Sequence, residues 1–165
     1  MPSPLLVNAV ELLREPGSQR RIDVAVPLAD IDAADPRLSG DVAVDVTLTS
    51  SLDDIVVAGQ LRVAWSDECR RCLRPLARQL VADVEERYAP GGGQDAFAIE
   101  HGQLDLAPMV REELLLAIPD APLCRPDCAG LCPICGADLD DGPCGCDSEA
   151  RDERWAVLDV LREDE

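Results

Sequence analysis

Residues Cys124 to Cys146 read CRPDCAGLCPICGADLDDGPCGC and hold six of the eight cysteines of the chain. The other two, Cys69 and Cys72, form a C-x2-C pair far upstream. Thiolates that lie a few residues apart can bind one soft metal ion, and two such pairs complete a tetrahedral zinc site. The sequence therefore predicts a cysteine-rich zinc-binding segment.

The grouping of the eight thiols is open. One grouping makes two sites: Cys69, Cys72, Cys124 and Cys128; and Cys132, Cys135, Cys144 and Cys146. The other places four consecutive cysteines on one ion: Cys124, Cys128, Cys132 and Cys135. We favour the first grouping because it leaves no cysteine over, and it predicts two zinc ions. In either grouping Gly136 can supply the positive φ that the turn after Cys132 and Cys135 needs.

Other uses of the cysteines need a different context. The N-terminal residues lack a basic start and a cleavable apolar segment, so we expect a cytoplasmic protein without a membrane span. In a reducing compartment, closely paired cysteines indicate metal or redox chemistry more often than disulfides. A disulfide framework, a thiol redox protein and an iron–sulfur protein remain alternatives, and colour and redox activity would identify the last.

The charge of the chain is strongly negative. It has 33 acidic residues against 15 basic ones, all arginine, and a formal net charge of -18. Such a chain is repelled by phosphate backbones unless a local basic patch attracts them. One candidate patch for RNA or partner contact exists, and its residues are Arg70, Arg71, Arg74 and Arg78. The same arginines could instead form a solvated face that offsets thiolate charge.

Alternating apolar residues predict several strands upstream of the cysteine-rich segment. The pattern runs through 21–27, 42–48, 55–65 and 76–88, with Cys69 and Cys72 at the tip of a long hairpin. Residues 5–13 suggest a helical turn, and residues 89–102 suggest a mobile loop without a fold of its own. Short turns between alternating strands indicate an antiparallel meander with one face on a core.

A helix is predicted over 106–118, with Asp105 as its cap. Its apolar face comprises Leu106, Met109, Val110, Leu114 and Ile118. The predicted fold class is α+β: an antiparallel β-meander or partial barrel with one long packed helix. The expected domains are 1–119, the sheet and helix core; 120–148, the cysteine-rich segment packed on the 67–74 loop; and 149–165, an acidic tail with a helix near 152–162.

Catalysis has little support in the sequence. His101 is the only histidine and lies in a glycine-flanked loop away from the cysteine pairs. Sites made of cysteine alone are usually closed and structural, whereas catalytic zinc keeps an open coordination position. A zinc deaminase would need His-x-Glu before Pro-Cys-x-x-Cys, and neither motif is present. We therefore expect a protein that is not an enzyme.

Several motifs together resemble the YceD family, the large ribosomal RNA subunit accumulation proteins. They are CRRCLRP at 69–75, DLAPMVREELLLAIP at 105–119, CAGLCPICG at 128–136, C-x-C at 144–146 and DERWAVLDVL at 152–161. The resemblance implies a factor for the synthesis, processing or stability of large-subunit rRNA. Asp140 departs from the family pattern, in which asparagine is common, and this puts one capping hydrogen bond in doubt.

Two kinds of partner fit this resemblance. The protein could contact large-subunit rRNA or a pre-ribosome through its arginines, or it could be an acidic adaptor or chaperone for a basic large-subunit ribosomal protein. The chain has four aromatic residues in total, so stacking platforms for single-stranded RNA are scarce. This scarcity counts against direct reading of the RNA sequence. The negative charge of the chain favours the protein partner.

Overall fold

The computed structural model describes residues 3–146, and the contacts divide this part of the chain into two compact units. The first unit contains residues 3–67 and 75–122. The second unit contains residues 68–74 and 123–146. The helix expected near 152–162 and the tail 149–165 lie outside the described residues.

One seven-stranded sheet forms most of the first unit. Its strands are β1 (Leu6–Asn8), β2 (Gln19–Pro27), β3 (Leu38–Ser50), β4 (Ile55–Glu68), β5 (Pro75–Pro90), β6 (Phe97–Glu100) and β7 (Gln103–Asp105). Their order in the sheet is β1-β7-β6-β5-β4-β3-β2, so β1 and β2 are its edges. The first unit is therefore mostly β, with one longer helix.

The predicted alternation places the core on one face of the long strands. In β3 the buried residues are Leu38, Val42, Val44, Val46, Leu48 and Ser50, and in β4 they are Ile55, Val57, Leu61, Val63 and Trp65. Side chains of a strand alternate between the two faces of a sheet, so this period-two burial gives one apolar face. The strand predictions over 42–48 and 55–65 are confirmed.

Helices cover part of this apolar face. Helix α1 spans Ala9–Arg14, a 3-10 helix spans Leu28–Ile31, and helix α2 spans Ala107–Ala117. The apolar face predicted for α2 is confirmed, since its five residues from Leu106 to Ile118 are all buried. The prediction of Asp105 as the cap was wrong by one residue: the N-cap is Leu106, which has no side-chain acceptor, and the Asp105 carboxylate before it accepts a hydrogen bond from the Ala107 amide at 3.0 Å. Among residues 3–146, neither α-helix has the length and apolar composition that a bilayer crossing requires.

The prediction of an unstructured loop over 89–102 was wrong. Strand β6 pairs in parallel with the end of β5, from Tyr88 opposite Phe97 to Pro90 opposite Ile99, and β7 pairs antiparallel with β6. The sheet is therefore not a purely antiparallel meander. Tertiary packing explains the difference, because the Phe97 ring stacks on buried Tyr88 with ring centroids 5.2 Å apart and Ile99 is buried.

Gly59 allows a close approach between β3 and β4. It pairs with Val46, and a Cβ atom at this position would overlap the carbonyl oxygen of Asp45 and lie 2.7 Å from the Val46 Cα. Both contacts are with backbone, which cannot move without separating the strands. The strand pair thus requires a residue without a side chain here.

We predict that Gly59→Ala lowers the free energy of unfolding by about 3 kcal/mol or more, because the added methyl group overlaps the neighbouring strand. Urea denaturation followed by circular dichroism measures the change. Gly93→Ala is the matched control, since a Cβ atom there meets no atom within 4 Å. Equal midpoints for the two variants would contradict this account of the sheet.

Candidate metal centre

The second unit brings the eight cysteines together in two sets of four. Cluster A comprises Cys69, Cys72, Cys124 and Cys128, and cluster B comprises Cys132, Cys135, Cys144 and Cys146. Within each cluster all four sulfur atoms lie within 4.8 Å of one another. This is the first of the two groupings considered from the sequence, and the alternative of four consecutive cysteines on one ion does not match it.

The sulfur spacing fits a tetrahedral metal site. In cluster A, the Sγ atoms of Cys69 and Cys128 are 3.8 Å apart, and those of Cys72 and Cys124 are 3.7 Å apart. Four sulfur atoms at about 2.3 Å from a zinc ion would be about 3.8 Å from one another. The donor set is all thiol, which suits zinc and iron better than magnesium or calcium. Both clusters could therefore hold a soft metal ion.

The two C-x2-C turns have the same hydrogen-bond pattern. In one, the Cys69 amide donates to the Arg74 carbonyl at 2.8 Å, and the Leu73 amide donates to the Cys69 carbonyl at 2.8 Å. In the other, the Cys132 amide donates to the Ala137 carbonyl at 2.8 Å, and the Gly136 amide donates to the Cys132 carbonyl at 2.9 Å. The remote upstream pair is thus a second copy of the turn predicted at 132–136.

The residue after the second cysteine has positive φ in both turns. Gly136 has a φ of 73°, and Leu73 has a φ of 59°. A leucine in the left-handed region is strained by about 1 to 2 kcal/mol, whereas glycine is not. The predicted role of Gly136 is confirmed, and Leu73 shows that the turn imposes this conformation even on a bulky residue.

Hydrogen bonds from backbone amides lower the pKa of one thiol in each cluster. The N–H of Cys72 is the main cause that lowers the pKa of Cys69 to about 6, and the N–H groups of Cys135 and Ile134 lower the pKa of Cys132 to about 6. Burial raises the pKa of Cys128 to about 12. Metals bind thiolates, so metal binding in these clusters would release protons and weaken as the pH falls.

The second unit has no apolar core among its described residues. Its buried hydrophobic residues are four cysteines: Cys69, Cys72, Cys128 and Cys132. The larger apolar side chains Leu73 and Ile134 are each 58% exposed. Burial of apolar area can therefore contribute little to ordering this unit.

Arg71 ties the upstream turn to the cysteine-rich segment. Its guanidinium donates to the Cys128 carbonyl at 2.8 Å, and its own carbonyl accepts from the Leu131 amide at 3.1 Å. Gly130 has a φ of 80°, and a Cβ atom there would lie 3.1 Å from the Arg71 carbonyl oxygen. Hydrogen bonds thus connect the two chain segments that build cluster A, in addition to the close approach of their sulfur atoms.

Asp138 and Asp140 complete this network. Asp138 pairs with Arg74. The side chain of Asp140 is 4% exposed, and its Oδ1 accepts from the Ala129 amide at 2.9 Å and from Arg125 at 2.6 Å. The Ala129 hydrogen bond is the main cause that lowers the pKa of Asp140, and the positive charge of Arg125 also lowers it. The capping bond that the family resemblance put in doubt is present, with aspartate as its acceptor.

The four arginines singled out in the sequence have different positions. Arg71 and Arg74 hold parts of the second unit together, Arg70 lies in the same turn, and Arg78 lies in β5 of the first unit. The internal roles of Arg71 and Arg74 agree with the reading in which the arginines offset charge near the thiols. The sequence analysis did not identify Arg125 as a functional residue. The available signal was its position between Cys124 and Cys128, which are four residues apart.

We predict that Asp140→Ala speeds amide hydrogen exchange over 125–140 by about 5-fold to 100-fold. The substitution removes a carboxylate that is 4% exposed and leaves the Ala129 amide without its acceptor and Arg125 without its ion-pair partner; a hydrogen bond to a charged group contributes about 1 to 3 kcal/mol. Hydrogen–deuterium exchange with mass spectrometry measures the effect.

Two substitutions serve as controls for Asp140→Ala. Asp140→Asn keeps an oxygen acceptor for the Ala129 amide and should exchange more slowly than the alanine variant. Asp141→Ala removes the same charge from a side chain that is 81% exposed and should change little. If Asp141→Ala matched Asp140→Ala, loss of charge alone would explain the result and the Ala129–Asp140 hydrogen bond would not matter.

Comparison with known proteins identifies relatives over most of the chain. An uncharacterized protein of Mycobacterium tuberculosis is 30% identical over 94% of this chain and 80% of the relative. An uncharacterized protein of Mycobacterium leprae is 29% identical over 98% of this chain and 80% of the relative. The large ribosomal RNA subunit accumulation protein YCED homolog 1, chloroplastic, of Arabidopsis thaliana is 33% identical over 41% of this chain and 21% of the relative. No solved structure matches the chain significantly.

A family model matches the larger part of the chain. It is described as large ribosomal RNA subunit accumulation protein YceD, and it covers residues 57–162. The matched segment includes both C-x2-C turns, helix α2 and all eight cysteines. The resemblance seen in the sequence is confirmed: the chain belongs to the YceD family.

Proposed function

We propose that this protein is a non-catalytic zinc-binding factor for the synthesis, processing or stability of large-subunit rRNA. The observation that carries the proposal is the grouping of eight thiols into two clusters with the spacing of single-ion sites, in a chain whose family is named for rRNA accumulation. In this proposal the two zinc ions are structural. They hold 68–74 and 123–146 together in a unit that has no apolar core among its described residues.

A structural role for zinc follows from the donor set. Each cluster offers four thiols, which would fill the tetrahedral coordination of zinc and leave no position for substrate or water. A metal held in this way supplies folding energy and no Lewis-acid chemistry. We therefore propose that the protein is not an enzyme. A reducing compartment suits thiolate ligands, and the cytoplasm is the proposed location.

A second candidate is an acidic adaptor or chaperone for a basic large-subunit ribosomal protein, which would make the effect on rRNA indirect. Two observations favour it. The net charge of -18 attracts basic proteins and repels phosphates. In addition, Arg71 and Arg74, two of the four arginines considered for RNA contact, are engaged within the second unit.

Complementation tests the proposed function. Cells that depend on this chain should show reduced large-subunit rRNA relative to small-subunit rRNA when it is replaced by Cys124→Ser/Cys128→Ser, because cluster A then loses two of its four ligands. The unsubstituted chain and Asp141→Ala should restore the ratio. An unchanged ratio in cells that lack the chain would overturn the proposed function.

Purified protein distinguishes direct RNA contact from the adaptor role. Arg70→Ala/Arg78→Ala is the variant, and circular dichroism checks that it keeps the fold of the unsubstituted chain. Binding through phosphate contacts should weaken steeply with salt and with this variant. If the protein is an adaptor, the unsubstituted chain and the variant should both bind large-subunit rRNA weakly. Both should still bind a basic ribosomal protein.

A further inference from the structure

Phe97 in β6 forms part of the walls of two surface cavities in the first unit. One cavity has a volume of about 440 Å³ and also includes Tyr88 and Leu6. The other has a volume of about 520 Å³ and also includes Leu116 from α2. The Phe97 ring is half-buried and stacks on Tyr88, whose side chain is fixed by a hydrogen bond to the Asp105 carbonyl at 3.0 Å. An aromatic ring thus stands on a rigid support between two open cavities.

Carboxylates surround this ring. Six acidic residues line the two cavities: Glu86, Asp95, Glu100, Asp105, Glu112 and Glu113. No arginine lines either cavity, and His101 is the one lining residue that can take up a positive charge. Within residues 3–146, none of the six carboxylates pairs with an arginine, although ten ion-pair contacts occur elsewhere in that part of the chain.

The described residues place no positively charged partner among these carboxylates. Burial raises the pKa of Glu113, and the nearby carboxylates of Glu86 and Glu112 raise it further. Like charges held close together are stabilised by a cation from outside. The exposed apolar side chains Leu6 and Leu116 lie one in each cavity, at 43% and 80% exposure. The surface therefore offers aromatic, apolar and anionic contacts together.

The arrangement selects among possible cations. A single divalent ion needs several oxygen ligands around one point. Within the described residues, only the two cysteine clusters have three or more potential metal ligands close enough to hold one ion. The six carboxylates are instead spread around Phe97, which suits an extended ligand with several positive charges. A phosphate backbone would be repelled at this surface.

We propose that the Phe97 surface, formed by Phe97 and these six acidic residues, binds a basic segment of a protein partner. An arginine or lysine side chain of that segment lies against the Phe97 ring, where a cation is attracted to the aromatic face. Neighbouring basic side chains contact the carboxylates, and apolar ones contact Leu6 and Leu116. This inference deepens the adaptor role among the proposed functions and rests on it for the identity of the partner as a basic protein.

A peptide titration tests this surface. The probe is a fluorescent peptide that alternates arginine and alanine, and fluorescence anisotropy measures its affinity for the full chain. Phe97→Leu keeps an apolar side chain but removes the aromatic face, and it should weaken binding about 5-fold. Phe97→Tyr keeps the ring and should stay within about 2-fold of the unsubstituted chain. The same peptide with citrulline in place of arginine should not bind, because citrulline has no charge.

A charge-matched control separates a defined site from general attraction to an acidic protein. Glu86→Gln/Glu112→Gln removes two charges near Phe97 and should weaken binding about 5-fold. Glu11→Gln/Glu15→Gln removes two exposed charges that line neither cavity and should change affinity less than about 2-fold. Equal losses for the two pairs, or unchanged affinity for Phe97→Leu with an intact circular dichroism spectrum, would overturn the proposal.

The outcome of this titration is independent of the outcome of the complementation test. A chain that binds no peptide but restores large-subunit rRNA in cells overturns only the Phe97 surface. If the purified chain binds the peptide through Phe97 but large-subunit rRNA in cells does not depend on the chain, the role in rRNA accumulation is overturned. The Phe97 surface then stands.

Discussion

Repulsion between closely spaced thiolates is the constraint on which the second unit depends. Four sulfur atoms within 4.8 Å of one another cannot all ionise without a cation among them. With a divalent cation, the same four atoms connect two segments that are about fifty residues apart in the chain, Cys69 to Cys72 and Cys124 to Cys128. Among the described residues the unit buries cysteines in place of larger apolar side chains, so coordination of this kind would contribute directly to its order.

The first unit is stabilised in a different way. Its sheet buries alternating valine, leucine and isoleucine side chains, and α2 adds a fully apolar face. A chain with this construction should lose the order of 68–74 and 123–146 on metal removal while the sheet remains folded. The charged side chains differ between the units: Arg71 and Arg74 make contacts within the second unit, and among residues 3–146 the six carboxylates around Phe97 in the first unit pair with no arginine.

Much of this construction can be predicted from the sequence, where a short-range pattern carries the information. Alternation identified the long strands, a helical period identified the buried face of α2, and the pairing that leaves no cysteine over favoured the two-site grouping of the thiols. The strands β6 and β7 were missed because each has four residues or fewer and lies in a segment rich in glycine and polar residues. They form because Tyr88 and the end of β5 provide a partner, which short-range patterns do not reveal.

The roles of individual charged residues were also difficult to predict. Arg71 and Arg74 looked like part of a contact surface because four arginines and no acid lie between Cys69 and Arg78 in the sequence. In the folded chain, Asp138 lies beside Arg74, and the Cys128 carbonyl accepts a hydrogen bond from Arg71. These partners are more than fifty residues away, so only the tertiary structure brings them together. The same limitation hid the gathering of acids around Phe97, which come from β5, β6, β7, α2 and the loop between β5 and β6.

Zinc X-ray absorption on protein purified without added metal is the most direct test of the central claim that two closed thiolate sites order the second unit. With the metal content measured on the same sample, the account predicts two zinc ions per chain, each with four sulfur neighbours at about 2.3 Å. One zinc ion per chain, a first shell with oxygen or nitrogen, or iron in place of zinc would contradict it.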